Sequence, residues 1–144
     1  MPMEPFQQKP IRLAAELAGL PALTAYVEEF AERCGMNAAD AAAITLAAEE
    51  LFANTINHGD PKATGVEFEL GYADGMMTAR YRDDAGAFDP TQHPAPDTTL
   101  PLEQRPIGGL GIHCIRRTMP DFRYERVDGW NVITFGRAVR AVAE

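Results

Sequence analysis

Two Asp-Gly dipeptides, Asp74-Gly75 and Asp128-Gly129, each sit between runs that read as strands, and they restrict this chain more than any other feature. Ahead of the first, Val66, Phe68, Leu70 and Tyr72 alternate with polar or small residues, and Met76 to Asp83 follows it. Phe122 to Val127 and Trp130 to Phe135 flank the second. A period of two puts alternate side chains on one face, and Asp-Gly supplies the positive-φ pair that a two-residue hairpin needs. Both hairpins are antiparallel by construction, and the apolar face of such a sheet needs a cover.

The cover is helical. Leu23, Tyr26, Val27, Phe30 and Ala31 recur at helical spacing between Pro21 and Gly35. Asn37 is placed as the N-cap of a second helix, with Asp40 near the positive end of its dipole, and Gly59 and Pro61 stop it after roughly 20 residues. A third, short helix is expected from Gly109 to about Thr118, while Ile11-Arg12-Leu13 is too short to classify alone. The order helix, helix, hairpin, loop, helix, hairpin predicts an α+β fold, an α/β sandwich whose mostly antiparallel sheet is covered on one face by helices. At 144 residues, one domain spanning 1–144 is expected. Between Gly86 and Gly108 lie five prolines, Pro90, Pro94, Pro96, Pro101 and Pro106, in a loop long enough to be a lid.

Charge and cysteine use narrow the chemistry. A formal net charge of −8 has the wrong sign for nucleic acid or an anionic membrane surface. Cys34 and Cys114 form no C-x-x-C pair, and His58, His93 and His113 share no metal-ligand spacing, so no zinc site is expected. Residues 1–10 carry no apolar signal-like core and no apolar run approaches 18 residues, so a reducing cytoplasm is the expected location. The phosphate-binding sequence G-x-x-x-x-G-K-[ST] is absent. Phe122, Tyr124 and Trp130 read as sheet packing.

Three patterns are candidates for chemistry. Glu50, Asn54 and His58 fall at i, i+4 and i+8, one polar stripe beside the apolar arc of the second helix. Such a stripe is either simply solvated or hydrogen-bonded to a loop, or it is a carboxylate base beside an amide oxygen that ligates a hard cation such as Mg²⁺. His58 reads equally well as a C-terminal helix group. Arg82-Asp83-Asp84-Ala85-Gly86 ends a strand in acids: an ordinary exit turn, or a carboxylate accepting from an adenine amine. Arg105-Pro106-Ile107-Gly108-Gly109-Leu110-Gly111-Ile112 brings glycines into a helix start, as a flexible entry turn or an anion cradle with Arg105 in support.

Taken in order along the chain, these boxes resemble the standalone anti-sigma-factor serine/threonine kinases of the RsbW and SpoIIAB type, within the superfamily of gyrase, MutL and histidine-kinase ATP-binding domains. The resemblance runs from Ile11-Arg12-Leu13 through Glu50-Leu51-Phe52-Ala53-Asn54 and Phe88-Asp89-Pro90 to Gly108-Gly109-Leu110-Gly111-Ile112 and Asp128-Gly129-Trp130-Asn131. It implies a Bergerat ATP-binding fold with residues 86–108 as the ATP lid. It also implies Glu50 as general base, Asn54 as Mg²⁺ ligand and Asp83 as the reader of adenine. Gly109 and Gly111 would approach the phosphates, Arg105 would reach the terminal one, and Thr134 would lie beside the adenine pocket. Gly86, Gly108, Ile112 and His58 complete the implied ATP-contacting set.

The family's D-x-G becomes Asp83-Asp84-Ala85 if Phe88-Asp89-Pro90 sets the register, with alanine where glycine is common. If Gly86 sets it, the acid is Asp84; Asp83 is preferred because it ends the alternation Met77, Ala79, Tyr81. The function implied is transfer of phosphate from Mg-ATP to a STAS-domain anti-anti-sigma protein, with a sigma factor as the other partner, in a family that is commonly dimeric. A non-catalytic regulator, ATP-responsive or nucleotide-free, is the alternative, and simple ATP hydrolysis would use the same residues.

Overall fold

Both Asp-Gly pairs form the turns expected of them: Asp74 and Gly75 have φ of 53° and 80°, and Asp128 and Gly129 have 49° and 84°. Positive φ at both central residues matches the right-handed twist of the flanking strands. The computed structural model describes residues 5–92 and 109–140. Along them run β1 (Phe6–Gln7), β2 (Ile11–Ala14), α1 (Leu20–Cys34), α2 (Ala38–Asn57), β3 (Gly65–Ala73), β4 (Met76–Asp83), α3 (Gly109–Thr118), β5 (Arg123–Val127) and β6 (Trp130–Ala138). The six strands make one sheet in the order β1-β3-β4-β6-β5, with β2 also paired to β3, and every pairing is antiparallel. The α+β architecture read from the sequence is the observed one.

Two strands went unread in the sequence. β1 pairs with Gly71 and Tyr72, and β2 with Gly65 to Phe68, both along the same edge of β3. Runs of two and four residues are too short to show a period, and the ladder of β3 is what makes them strands. β6 also extends past Phe135 to Ala138 because Gly136, Arg137 and Ala138 pair with Thr78, Met77 and Met76 of β4.

Helix α1 turns one stripe inward, with Leu23, Val27 and Phe30 fully buried, and ends at Gly35 in the left-handed conformation. In α2 the Asn37 side chain accepts from the Asp40 amide at 2.8 Å, the expected N-cap. Asp40 does more than face the helix dipole: it accepts from Arg137 and from the Arg140 amide, both at 2.9 Å, tying the end of β6 to the start of α2.

Between the helices and the sheet, Phe68 packs edge-on to Tyr26 and Tyr81 with ring centroids 5.8 and 6.1 Å apart. Burying one such ring contributes about 2 to 3 kcal/mol. The inward parity of β4 is Met77, Ala79, Tyr81, Asp83; that of β6 is Asn131, Ile133, Phe135. Asp83 and Asn131 are direct cross-strand partners, so each strand ends its apolar series with a polar residue at the same place.

Candidate functional site

Where β4 and β6 bring Asp83 and Asn131 together, the last turns of α2 lie over them and enclose a cavity of about 350 Å³. Its walls include Asn54, Thr55 and His58 from α2, Asp83 from β4, Phe88 from the chain beyond β4, and Ile112 from the first turn of α3. Room inside amounts to about 20 Å³, enough for little more than one water. A larger hollow of about 760 Å³ lies on the uncovered face, lined by Thr78, Arg80 and Arg123 among others. That hollow lacks buried, convergent polar side chains, so the smaller cavity is the stronger candidate.

At its inner end the polar groups are closely tied. Asp83 is 6% exposed; its Oδ1 accepts from Asn131 Nδ2 at 2.8 Å and from the Ala85 amide at 3.1 Å, and its Oδ2 accepts from Thr55 Oγ1 at 2.8 Å. Two lone pairs on each oxygen leave one acceptor position, on Oδ2, not taken by any described residue. Thr55 also meets the Tyr81 hydroxyl at 2.6 Å. Burial drives the Tyr81 phenol well above its ordinary pKa; the Thr55 hydrogen bond opposes the rise and the Asp83 charge adds to it. Neighbouring Asp84 turns away, accepting from the Thr64 hydroxyl and from the Thr64 and Gly65 amides. Burial pushes its pKa up, but these hydrogen bonds outweigh it and hold the carboxyl below the usual range.

Further back along α2 the polar side chains have fewer partners among the described residues. Asn54 is buried, yet its Nδ2 has no hydrogen-bond partner among the described residues. Glu50, one turn earlier, is half-buried; desolvation raises its pKa, and the charge of His58 acts against that rise. The His58 ring stacks on Phe88 with centroids 5.3 Å apart and planes 3° from parallel, while its backbone amide donates to the Asn54 carbonyl as a helix cap. His58 thus lines the cavity and caps α2 at the same time.

The remaining sequence candidates divide. Gly86 does not line the cavity: a side chain there would strike the Asp60 backbone, and its carbonyl accepts from Asn131 at 3.0 Å. Thr134, expected beside the pocket, faces the hollow on the opposite side of the sheet, because a period of two puts it on the parity of Val132 and not of Asn131 and Ile133. Gly109 and Gly111 lie in the first turn of α3, whose Ile112 is buried against the cavity. Arg105 and Gly108, most of the 86–108 loop and His93 lie outside the described residues. Thr55, Asn131 and the His58–Phe88 stack went unread. A signal for Asn131 exists: it is the polar residue in the inward series Asn131, Ile133, Phe135.

No group of three or more His, Cys, Asp or Glu that could hold a metal occurs among the described residues, and no described helix is long and apolar enough to cross a membrane. The buried Asn54 Nδ2 is a donor and cannot ligate a cation; its Oδ1 could fill one place in a hard cation's shell only if a ligand's phosphate oxygens and water supplied the rest.

A family model described as histidine kinase-like ATPase domain matches residues 13–137. The chain belongs to that family. It is 32% identical over 95 residues to the serine/threonine-protein kinase BtrW of Bordetella bronchiseptica, a match covering 63% of this chain and 66% of that protein, just under two thirds of its length. The fold is similar to the crystal structure of the RsbU and RsbW domains of a Mycobacterium tuberculosis protein. That likeness has a TM-score of 0.59 at 18% identity and covers 94% of this chain and 35% of the other.

Proposed function

We propose that the protein is an ATP-dependent serine/threonine kinase that phosphorylates a STAS-domain anti-anti-sigma partner, and that in its other state it holds a sigma factor. The observation that supports this most is the cavity between α2 and the sheet: a buried carboxylate, Asp83, with one acceptor position not taken among the described residues, faces the α2 residue Asn54, with Glu50 one turn earlier on the same helix. The family and the kinase name of its relative point the same way.

In this reading the free position on Asp83 Oδ2 receives the exocyclic amine of adenine, and the bonds from Thr55, Asn131 and Ala85 hold the carboxylate still. Inosine would present a carbonyl there, acceptor against acceptor, and be rejected. Asn54 would hold Mg²⁺ together with the nucleotide's phosphates. The ion, when bound, supplies neutralisation of phosphate charge. Glu50 takes the proton of the attacking serine or threonine hydroxyl, and its raised pKa makes it a better base than an ordinary carboxylate. Residues 86–108 would form the lid, with Arg105 on the terminal phosphate and the start of α3 at Gly109 and Gly111 facing the phosphate chain.

The alternative, a regulator that binds proteins without transferring phosphate, is favoured by one feature: the parallel His58–Phe88 stack stands over a cavity with room for about one water. Incubation with Mg-ATP and a STAS-domain protein, read by phosphopeptide mass spectrometry, separates the two. The kinase reading expects a modified serine or threonine with the unaltered protein and none with Glu50→Gln. A Glu50→Gln variant transferring at the unaltered rate removes Glu50 as the base. Partner capture with no transfer supports the regulator.

A further inference from the structure

Asn131 is 2% exposed and makes five hydrogen bonds. Its Nδ2 donates to Asp83 Oδ1 and to the Gly86 carbonyl; its Oδ1 accepts from the Phe88 amide at 3.2 Å, the Tyr124 hydroxyl at 2.7 Å and Arg126 Nη1 at 3.1 Å. The same Arg126 nitrogen donates to the Ala85 carbonyl at 2.7 Å. Tyr124 and Arg126 pair with Ile133 and Asn131 and share their inward parity, yet no residue of β5 lines the cavity. The amide thus lies between a guanidinium and a buried carboxylate, with a charge-assisted bond on each side. Each charge polarises the amide in the sense that strengthens the other bond.

We propose that Asn131, gripped by Arg126 and Tyr124 of the edge strand, is the positioning residue that fixes the Asp83 carboxylate and the chain from Ala85 to Phe88, so that base selection depends on a strand outside the pocket. The inference rests on the nucleotide reading above for what is selected, and on the hydrogen bonds alone for what is held. It follows from counting: with Asn131 and Ala85 filling Oδ1, only Oδ2 is left to read a ligand, and its direction is set by the bonds on Oδ1. Releasing Arg126 frees the Ala85 carbonyl and loosens the amide that orients the carboxylate. Asn131 itself has no hydrogen-bonding capacity left over for a base, so its effect passes through Asp83.

Arg126→Ala is the sharper variant, because Arg126 is on an exposed edge strand and its loss leaves the core intact, whereas Asn131→Ala strands buried polar groups and risks unfolding. Two readouts are made on the full chain. Amide hydrogen exchange without nucleotide should accelerate about tenfold at Ala85 and Phe88, and calorimetry should show the ratio of ATP to ITP affinity falling about tenfold. Arg126→Lys should recover part of both. Arg123→Ala, on the same strand but facing the opposite hollow, should alter neither. A lower melting temperature with exchange and base ratio unchanged would mean that Arg126 only stabilises the edge, and would overturn the proposal. If the unaltered protein binds neither nucleotide, the nucleotide reading falls and base selection with it. Exchange at Ala85 and Phe88 in the same sample then shows whether Arg126 still holds that segment.

Discussion

Around Asp83 every side-chain polar atom of Asp83, Thr55 and Asn131 is hydrogen-bonded; toward Glu50 the Asn54 amide nitrogen is buried with no partner among the described residues. Both regions are built on α2, within about two turns of one another, so the contrast lies in the partners. The sheet supplies donors and acceptors to Thr55 through Tyr81 and Asp83, and supplies none to Glu50 or Asn54 among the described residues. A cluster in which every polar atom is already held is preorganised and costs little to keep in place when a ligand takes the one remaining acceptor position. An orphaned amide costs stability in the free protein and recovers it when something polar binds.

Substitutions can break that contrast, and the largest effect belongs to Asp83. Asp83→Ala leaves one Asn131 N–H and the Ala85 amide buried without their acceptor, while Thr55 keeps the Leu51 carbonyl; the loss is on the order of 3 kcal/mol in urea unfolding, and adenine-nucleotide binding is removed. Next is Glu50→Gln, expected to reduce phosphoryl transfer by about 10² to 10⁴ while nucleotide affinity changes little in a filter-binding assay.

The same Glu50 variant sharpens the comparison through pH. A carboxyl whose folded pKa is raised favours the fold fully below its unfolded pKa, and that contribution is lost as pH rises through the folded value. Glu50→Gln should therefore melt slightly higher than the unaltered protein at neutral pH, with the difference vanishing below about pH 4. Asp84 has the opposite sign. Its folded pKa is lowered, so its contribution is present at neutral pH and is lost as pH falls through the folded value. Asp84→Ala should thus cost most near pH 7 and least in acid, as read from melting curves across pH.

Asn54→Ala removes an atom that has no partner to lose. Its unfolding free energy should change by less than about 1 kcal/mol, a smaller loss than Asp83→Ala, while the magnesium dependence of nucleotide binding disappears. The smallest effect is expected from Ala85→Gly. The Ala85 methyl lines the cavity, and a methyl on Gly59 would meet it at 2.8 Å, so its removal should widen the pocket and raise nucleotide affinity a few-fold by calorimetry.

How far the sequence carried the fold follows from where the periodic signals were. Asp-Gly turns and the stripe Leu23, Val27, Phe30 are local, and they located the first hairpin and α1 within a residue or two, while the second hairpin's last strand ran three residues past Phe135. β1 and β2 have no local signature, since only β3 makes them strands. Asn54 and His58, which line the cavity, were legible as part of one polar stripe because one helix carries them. Asn131 was not, because its meaning depends on Asp83 standing directly opposite across two strands, 48 residues away in the chain. Thr134 was misplaced by one parity step: three residues from Asn131 in a strand is the far face, whereas in a helix it would have been the same face.

The most direct test of the account is a calorimetric titration of the protein with Mg-ATP, with and without magnesium, beside Asp83→Ala under conditions where that variant remains folded. Saturable, magnesium-dependent heat in the unaltered protein that is absent in Asp83→Ala is the predicted result. No heat and no rise in melting temperature with Mg-ATP would contradict it and leave a nucleotide-free binding module in its place.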